Sequence, residues 1–262
     1  MLFRSGKTIY VVVTANKANY AEAKFTASTS GKVAKVTLSK PTIQGTYTYN
    51  GSVQTVRLNN FDANTMNIAN NTMTNAGKQV VIISLKSAAD YDWTDGTTAN
   101  VNLDWTMAPK QVSVVWGTQV EFTYNGQSQA PTATVDSGVA NETIVLAIEK
   151  AINAGKYVAT ATIESVTGGN RKTENYTLTN NTKAYTITSK DITSSDISAV
   201  LNQTTFEYDG KAKEPTATVK DGTKALTSGR DYTLTYKNNV NVGTATAVIT
   251  GINNYSGTIA PV

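Results

Sequence analysis

The densest set of potential metal ligands in the 262-residue sequence is Asp90-x-Asp92-x-x-Asp95-Gly96. Three carboxylates closing on a glycine are the residue types that ring a hard cation such as Ca²⁺. An EF-hand loop would need further oxygen ligands, including a glutamate at its twelfth position, and these are absent. A surface turn ahead of a strand accounts for the same residues. Trp93, Trp105 and Trp116 are the side chains able to stack on a sugar ring. Trp105 alternates with Leu103 and Val101, the pattern of a core position. Trp116 stands beside Gly117 and is the sugar-stacking candidate. The chain has no histidine and no cysteine. That removes a Ser-His-Asp triad, thiolate nucleophiles, thiolate metal sites and disulfides. There is no phosphate-binding loop, dinucleotide fingerprint or nucleophile elbow. A carboxylate pair could still serve glycoside hydrolysis, but the features that dominate this chain recur, whereas an active site is a single constellation. The sequence therefore predicts no enzyme, no catalytic residue and no cofactor.

The elements that position these residues are repeated. Tyr49-Asn50-Gly51, Tyr124-Asn125-Gly126 and Tyr208-Asp209-Gly210 form a turn mark. Its copies are spaced 124 − 49 = 75 and 208 − 124 = 84 residues apart. Each reads as strand, tight turn, strand, with Asn-Gly or Asp-Gly supplying the positive φ of a two-residue hairpin. A second mark follows at Asn75-Ala76-Gly77-Lys78, Asn153-Ala154-Gly155-Lys156 and Asn241-Val242-Gly243-Thr244. Each opens an alternating run, over 79–85, 157–163 and 245–250, that reads as a half-buried strand. A closing mark completes the set at Asp90-Tyr91, Asn175-Tyr176 and Asn254-Tyr255.

Three marks in one order predict three β units, over 40–108, 109–189 and 190–262. Residues 1–39 carry Ser5-Gly6-Lys7, a run from Tyr10 to Thr14, and Asn19-Tyr20. They read as the back half of a preceding unit, and 190–262 reads as a unit cut short. Junctions at Ser39-Lys40-Pro41, Ala108-Pro109-Lys110 and Ser189-Lys190-Asp191 are too short for free hinging. Residues 142–152 have fair helix propensity, but they fill the slot that alternates as Tyr232 to Lys237 in the third unit. Register favours a strand over propensity. The fold class expected is all-β: small Ig-like sandwiches of antiparallel strands in an elongated string. A β-grasp with a helix at 142–152 is the alternative. Tyr124, Tyr208, Trp105 and Tyr185 are expected to supply much of the small cores.

Composition fits that reading. Hydrophobic residues make up 40%, enough for packed cores, and only 16% of residues are charged, so Thr, Asn and Ser carry the polarity. A net charge of +4 with scattered Lys and Arg gives no nucleic-acid patch. No stretch approaches the length of a membrane span, and the N-terminus lacks the form of a signal peptide. The sequons at Asn141-Glu142-Thr143 and Asn202-Gln203-Thr204 are expected by chance in an Asn/Thr-rich chain.

Tyr-Asn-Gly-x-x-Gln-x-Pro, Asn-Ala-Gly-x-Tyr and Asn-Tyr together resemble the MBG, or mostly bacterial Ig-like, repeats of large bacterial surface proteins. Asp90 to Thr98 with Leu103-Asp104-Trp105-Thr106 is similar to the closing segment of such repeats, and Gly229 to Thr246 with Gly251 to Thr258 looks like a sister variety. The likeness covers nearly the whole chain. It implies Ig-like domains, an extracellular place on the bacterial surface, and service as a stalk or adhesive module, monomeric in isolation. Cell-wall or host glycans and extracellular-matrix proteins are the partners it implies; a carbohydrate-binding accessory module of a secreted enzyme is the other reading. It carries over no catalytic residue. The chain departs from the pattern in two places: the first turn mark lacks its proline, and Asn-Ala-Gly becomes Asn241-Val242-Gly243. Isopeptide crosslinks join Lys and Asn in some broadly similar domains, but no spacing here identifies such a trio.

Overall fold

The computed structural model describes residues 8–15, 23–136 and 138–259, with side chains from residue 33 onward. Ser5-Gly6-Lys7, Asn19-Tyr20 and the last three residues lie outside the described residues. The chain is all-β. Among the described residues the only helical element is one 3₁₀ turn, Thr173–Asn175. Residues Glu142–Ile148 are a strand, as register predicts, so the helix of the β-grasp alternative is not there. Two compact units are present. One comprises Met1–Gln111, Val139–Glu142 and Thr167–Thr177, and the other Val112–Gly138, Thr143–Val166 and Leu178–Val262.

In the first unit, Gly77–Leu85 lies between Val101–Ala108 and Met66–Ala69, antiparallel to both. Its alternation sorts the side chains. Val81 and Ile83 are fully buried while Val80 is 41% exposed, and Trp105 and Met107 on the neighbouring strand share the buried face. The strand Thr8–Ala15 pairs antiparallel with Ala23–Lys32. In the second unit, Tyr124, Tyr185, Ile187, Ile192, Val219, Tyr232, Ile249 and Tyr255 belong to one buried cluster. Ile197–Leu201 pairs antiparallel with Ala217–Asp221, and Tyr232–Lys237 with Thr246–Gly251.

Three expectations change. The turn marks are not hairpins. Tyr47–Thr48 pairs with Met107 and Ala108, while Gln54–Thr55, beyond the turn, pairs with Thr72–Met73. Glu121–Thr123 likewise joins Thr186–Thr188, and Ala133–Val135 joins Val114–Trp116. The turn thus hands the chain from one sheet to another. Only its glycine takes a positive φ, +82°, +75° and +75° at Gly51, Gly126 and Gly210. The residue before it uses its side chain instead. Asn50, Asn125 and Asp209 each accept a hydrogen bond at Oδ1 from the backbone N–H two residues on.

Second, the pairing is not purely antiparallel. A strand that crosses between sheets meets a closing strand running in its own direction. Tyr47–Thr48 and Glu121–Thr123 therefore pair in parallel, as do Val36–Leu38 with Tyr91–Trp93 and Lys190–Asp191 with Tyr255–Ser256.

Third, Trp105, Tyr124 and Tyr185 are buried as expected, but Tyr208 is 64% exposed. Its two counterparts are covered by the closing mark of the following copy, Tyr176 for Tyr49 and Tyr255 for Tyr124, and nothing in the described residues does this for Tyr208.

The abundance of asparagine has a backbone cause. Among the described residues, seven non-glycine residues have positive φ and six of them are Asn: Asn60, Asn70, Asn141, Asn180, Asn238 and Asn253. Asparagine tolerates the left-handed region better than other side-chain-bearing residues. The sequon residue Asn141 is thus a turn former ahead of Glu142–Ile148.

Candidate functional site

The three marks are the parts of one recurring joint. In the first compact unit, Tyr49 follows the strand Tyr47–Thr48 and is fixed by its backbone N–H, which donates to Ala108 O at 2.9 Å. Its ring is 1% exposed and stands edge-on to Tyr176, with centroids 5.5 Å apart and planes at 81°. That is a favoured aromatic arrangement. Both hydroxyls donate to one carboxylate: Tyr49 to Glu142 Oε1 at 2.6 Å and Tyr176 to Glu142 Oε2 at 2.5 Å. The backbone N–H of Asn170 adds a third bond to Oε1 at 2.8 Å, and Asn170 Nδ2 donates to the Tyr49 hydroxyl.

Beside this network lies Asn175, fully buried. Its Oδ1 accepts from the backbone N–H of Ala76 at 2.8 Å, and its Nδ2 donates to Asn75 Oδ1 at 3.0 Å. Glycines permit the close approach. A Cβ on Gly51 would stand 2.2 Å from Val139 Cγ1, and one on Gly169 would stand 2.3 Å from Glu142 Oε1. Tyr49 and Asn75-Ala76 thus form a socket, and Asn175-Tyr176 a plug.

The second compact unit holds a second such joint. Tyr124, whose N–H donates to Thr188 O, meets Tyr255 edge-on at 5.6 Å and 77°. Asn254 Oδ1 accepts from Ala154 N at 2.8 Å, and its Nδ2 donates to Asn153 Oδ1 at 3.0 Å. The plug hydroxyl again goes to a carboxylate, from Tyr255 to Asp221 Oδ2 at 3.0 Å. Here the charge is balanced by lysines. Lys190 Nζ bonds Asp221 Oδ1 at 2.6 Å and also Asp196, while Lys224 Nζ donates to the Tyr124 hydroxyl at 3.0 Å.

Electrostatics follow from the geometry. Burial alone would raise the Glu142 carboxyl. The hydroxyls of Tyr176 and Tyr49 and the Asn170 N–H outweigh it, so the group sits below the ordinary glutamate value. Burial, and then the carboxylate each one bonds, push Tyr176, Tyr255 and Tyr49 up. A carboxylate enclosed by donors and held ionised is an acceptor that fixes geometry. General acid work needs the opposite shift.

The sequence candidates fall elsewhere. Asp90 accepts from Ser87 Oγ, and Asp92 lies in the strand Tyr91–Trp93. Asp95 pairs with Lys40 and accepts from Thr97, which holds its carboxyl down to about 2. These three do not converge, and among the described residues no group of three acidic side chains is placed to hold a metal. Trp116 is half-buried against the core of the second unit, and its indole N–H donates to Asn180 O at 2.8 Å. Trp93 is fully buried, with its indole N–H on Ala99 O.

The residues that sequence reasoning missed are the joint carboxylates, Glu142 and Asp221. They belong to different strands. Both nevertheless stand 34 residues before the plug tyrosine that they bond. Equal separation was the signal. The chain matches no family model, and no curated protein or solved structure matches it.

Proposed function

We propose that this chain is a non-catalytic tandem-repeat region of the mostly bacterial Ig-like kind, a structural and adhesive part of a bacterial surface or secreted protein. The observation that carries the reading is the joint built twice from the same three marks. Residues that recur for catalysis would converge on a substrate; these converge on each other. A polar, hydrogen-bonded joint with short connections resists bending and rotation, which is what a stalk needs. No helix among the described residues is long and apolar enough to cross a membrane. The partners in this reading are glycans or matrix proteins held at the cell surface.

Pulling single molecules from their two ends tests the mechanical role. A load-bearing array unfolds in discrete, similar steps. Each step releases one repeat of about 80 residues, hence roughly 260–290 Å of extended chain before subtracting its folded length. A smooth extension without discrete steps would refute the stalk.

A further inference from the structure

The third set of marks lies open. Tyr208 occupies the position of Tyr49 and Tyr124, which are 1% and 6% exposed, yet it is 64% exposed. Its turn is already set: Asp209 Oδ1 accepts from Lys211 N at 2.9 Å, and Gly210 has the same φ as Gly126. The second half of the socket is in place as well. Gly243, at φ +141°, matches Gly77 at +146°, and Asn241, Val242 and Gly243 are all exposed. Phe206, Tyr208, Val240 and Val242, exposed by 39%, 64%, 43% and 84%, line a cavity of about 530 Å³ that Pro215 and Tyr236 also border. Exposed apolar side chains gathered in one place mark an interaction surface.

We infer that this surface docks a β domain that presents an Asn-Tyr pair, as residues 175–176 and 254–255 do. The asparagine of the partner accepts from the Val242 N–H and donates to Asn241. Its tyrosine stands edge-on to Tyr208, and an acidic side chain of the partner receives the tyrosine hydroxyl. The two filled sockets are the template, so the inference rests on the joints and not on a surface-protein role.

The test is the full chain with residues 185–262 repeated after Val262, so that a second Asn254-Tyr255 follows the third socket. Hydrogen exchange is read at the Val242 amide, and hydroxyl-radical footprinting at Tyr208. The expected result is exchange at least about tenfold slower at Val242 and a reduced footprint at Tyr208, both reversed by Asn254→Ala with Tyr255→Ala in the added copy alone. Unchanged exchange and footprint beside a folded added copy would overturn the inference. Protection of Tyr208 in the original chain that grows with its concentration would assign the socket to a second copy, and would also overturn it. A separate measurement does not depend on the added copy folding. Tyr208→Ala in the original chain is expected to leave the melting temperature unchanged, and a large fall would mean that Tyr208 already serves the fold.

Discussion

Tyr176→Ala should destabilise the chain by about 3–5 kcal/mol in urea unfolding, the usual cost of deleting a buried aromatic ring. Three losses coincide. The ring no longer fills the space against Tyr49, Glu142 loses a hydroxyl donor, and the Val139 N–H loses its acceptor. Tyr255→Ala should cost a similar amount, because Tyr255 is 2% exposed and packs against Tyr124 in the same way. The conservative variant separates packing from hydrogen bonding. Tyr176→Phe keeps the ring and gives up only the bonds at the hydroxyl, so about 1–2 kcal/mol is expected. A Phe variant as damaging as the Ala variant would mean that the polar network, not the aromatic pair, holds the joint.

The second large effect belongs to Glu142. Glu142→Ala strands two tyrosine hydroxyls and the Asn170 N–H, three donors that converge on it now. Leaving enclosed donors without an acceptor costs about 1–3 kcal/mol each, less whatever relaxation recovers, so a loss of about 3–4 kcal/mol is expected. Glu142→Gln keeps one carbonyl oxygen and should fall between.

The pH dependence follows from the same group. Its folded pKa lies below the unfolded glutamate value, so the folded chain binds fewer protons than the unfolded one in that window. The stabilisation is complete above roughly pH 5 and is lost as pH falls through the folded pKa. Tyr49, Tyr176 and Tyr255 set the other limit. Their raised pKa values mean that the folded chain keeps protons the unfolded chain releases near pH 10, so stability declines as pH rises past that point. Melting temperature against pH should show a plateau between these limits. Glu142→Ala should lower the plateau and shorten the acid fall.

Much of the fold was legible because alternation and register survive in single strands. Gly77–Leu85 and Thr246–Gly251 begin near a recurring Asn-x-Gly and alternate as expected. Glu142–Ile148 is a strand despite its helix propensity, as its shared slot with Tyr232–Lys237 predicts. The turn marks misled because Asn-Gly fits two structures. The type I′ hairpin that Asn-Gly favours needs positive φ at both residues; here the asparagine caps the turn with its side chain, and only the glycine flips. Tyr208 could not be placed from its own neighbours, because what buries such a tyrosine lies about 130 residues further along, as Tyr176 does for Tyr49 and Tyr255 for Tyr124. The marks were visible in the sequence, but not that the closing mark of one copy meets the turn mark of the copy before it. Residues with obvious chemistry, Asp90, Asp92, Asp95 and Trp116, stood out by type. The working residues, Asn175 and Glu142, are ordinary in type and are marked by partners 99 or 100 residues away for Asn175 and 93 away for Glu142.

A joint of this kind requires plug and socket to be energetically coupled across that distance. A double-mutant cycle reads the coupling, with Tyr49→Ala, Tyr176→Ala and the double variant compared by urea unfolding. If the rings and their shared carboxylate form one joint, the double variant loses less than the sum of the single ones, with a coupling of about 1–2 kcal/mol. Losses that add to within about 0.5 kcal/mol would show that the two tyrosines act independently, and would contradict the joint as the organising device of this chain.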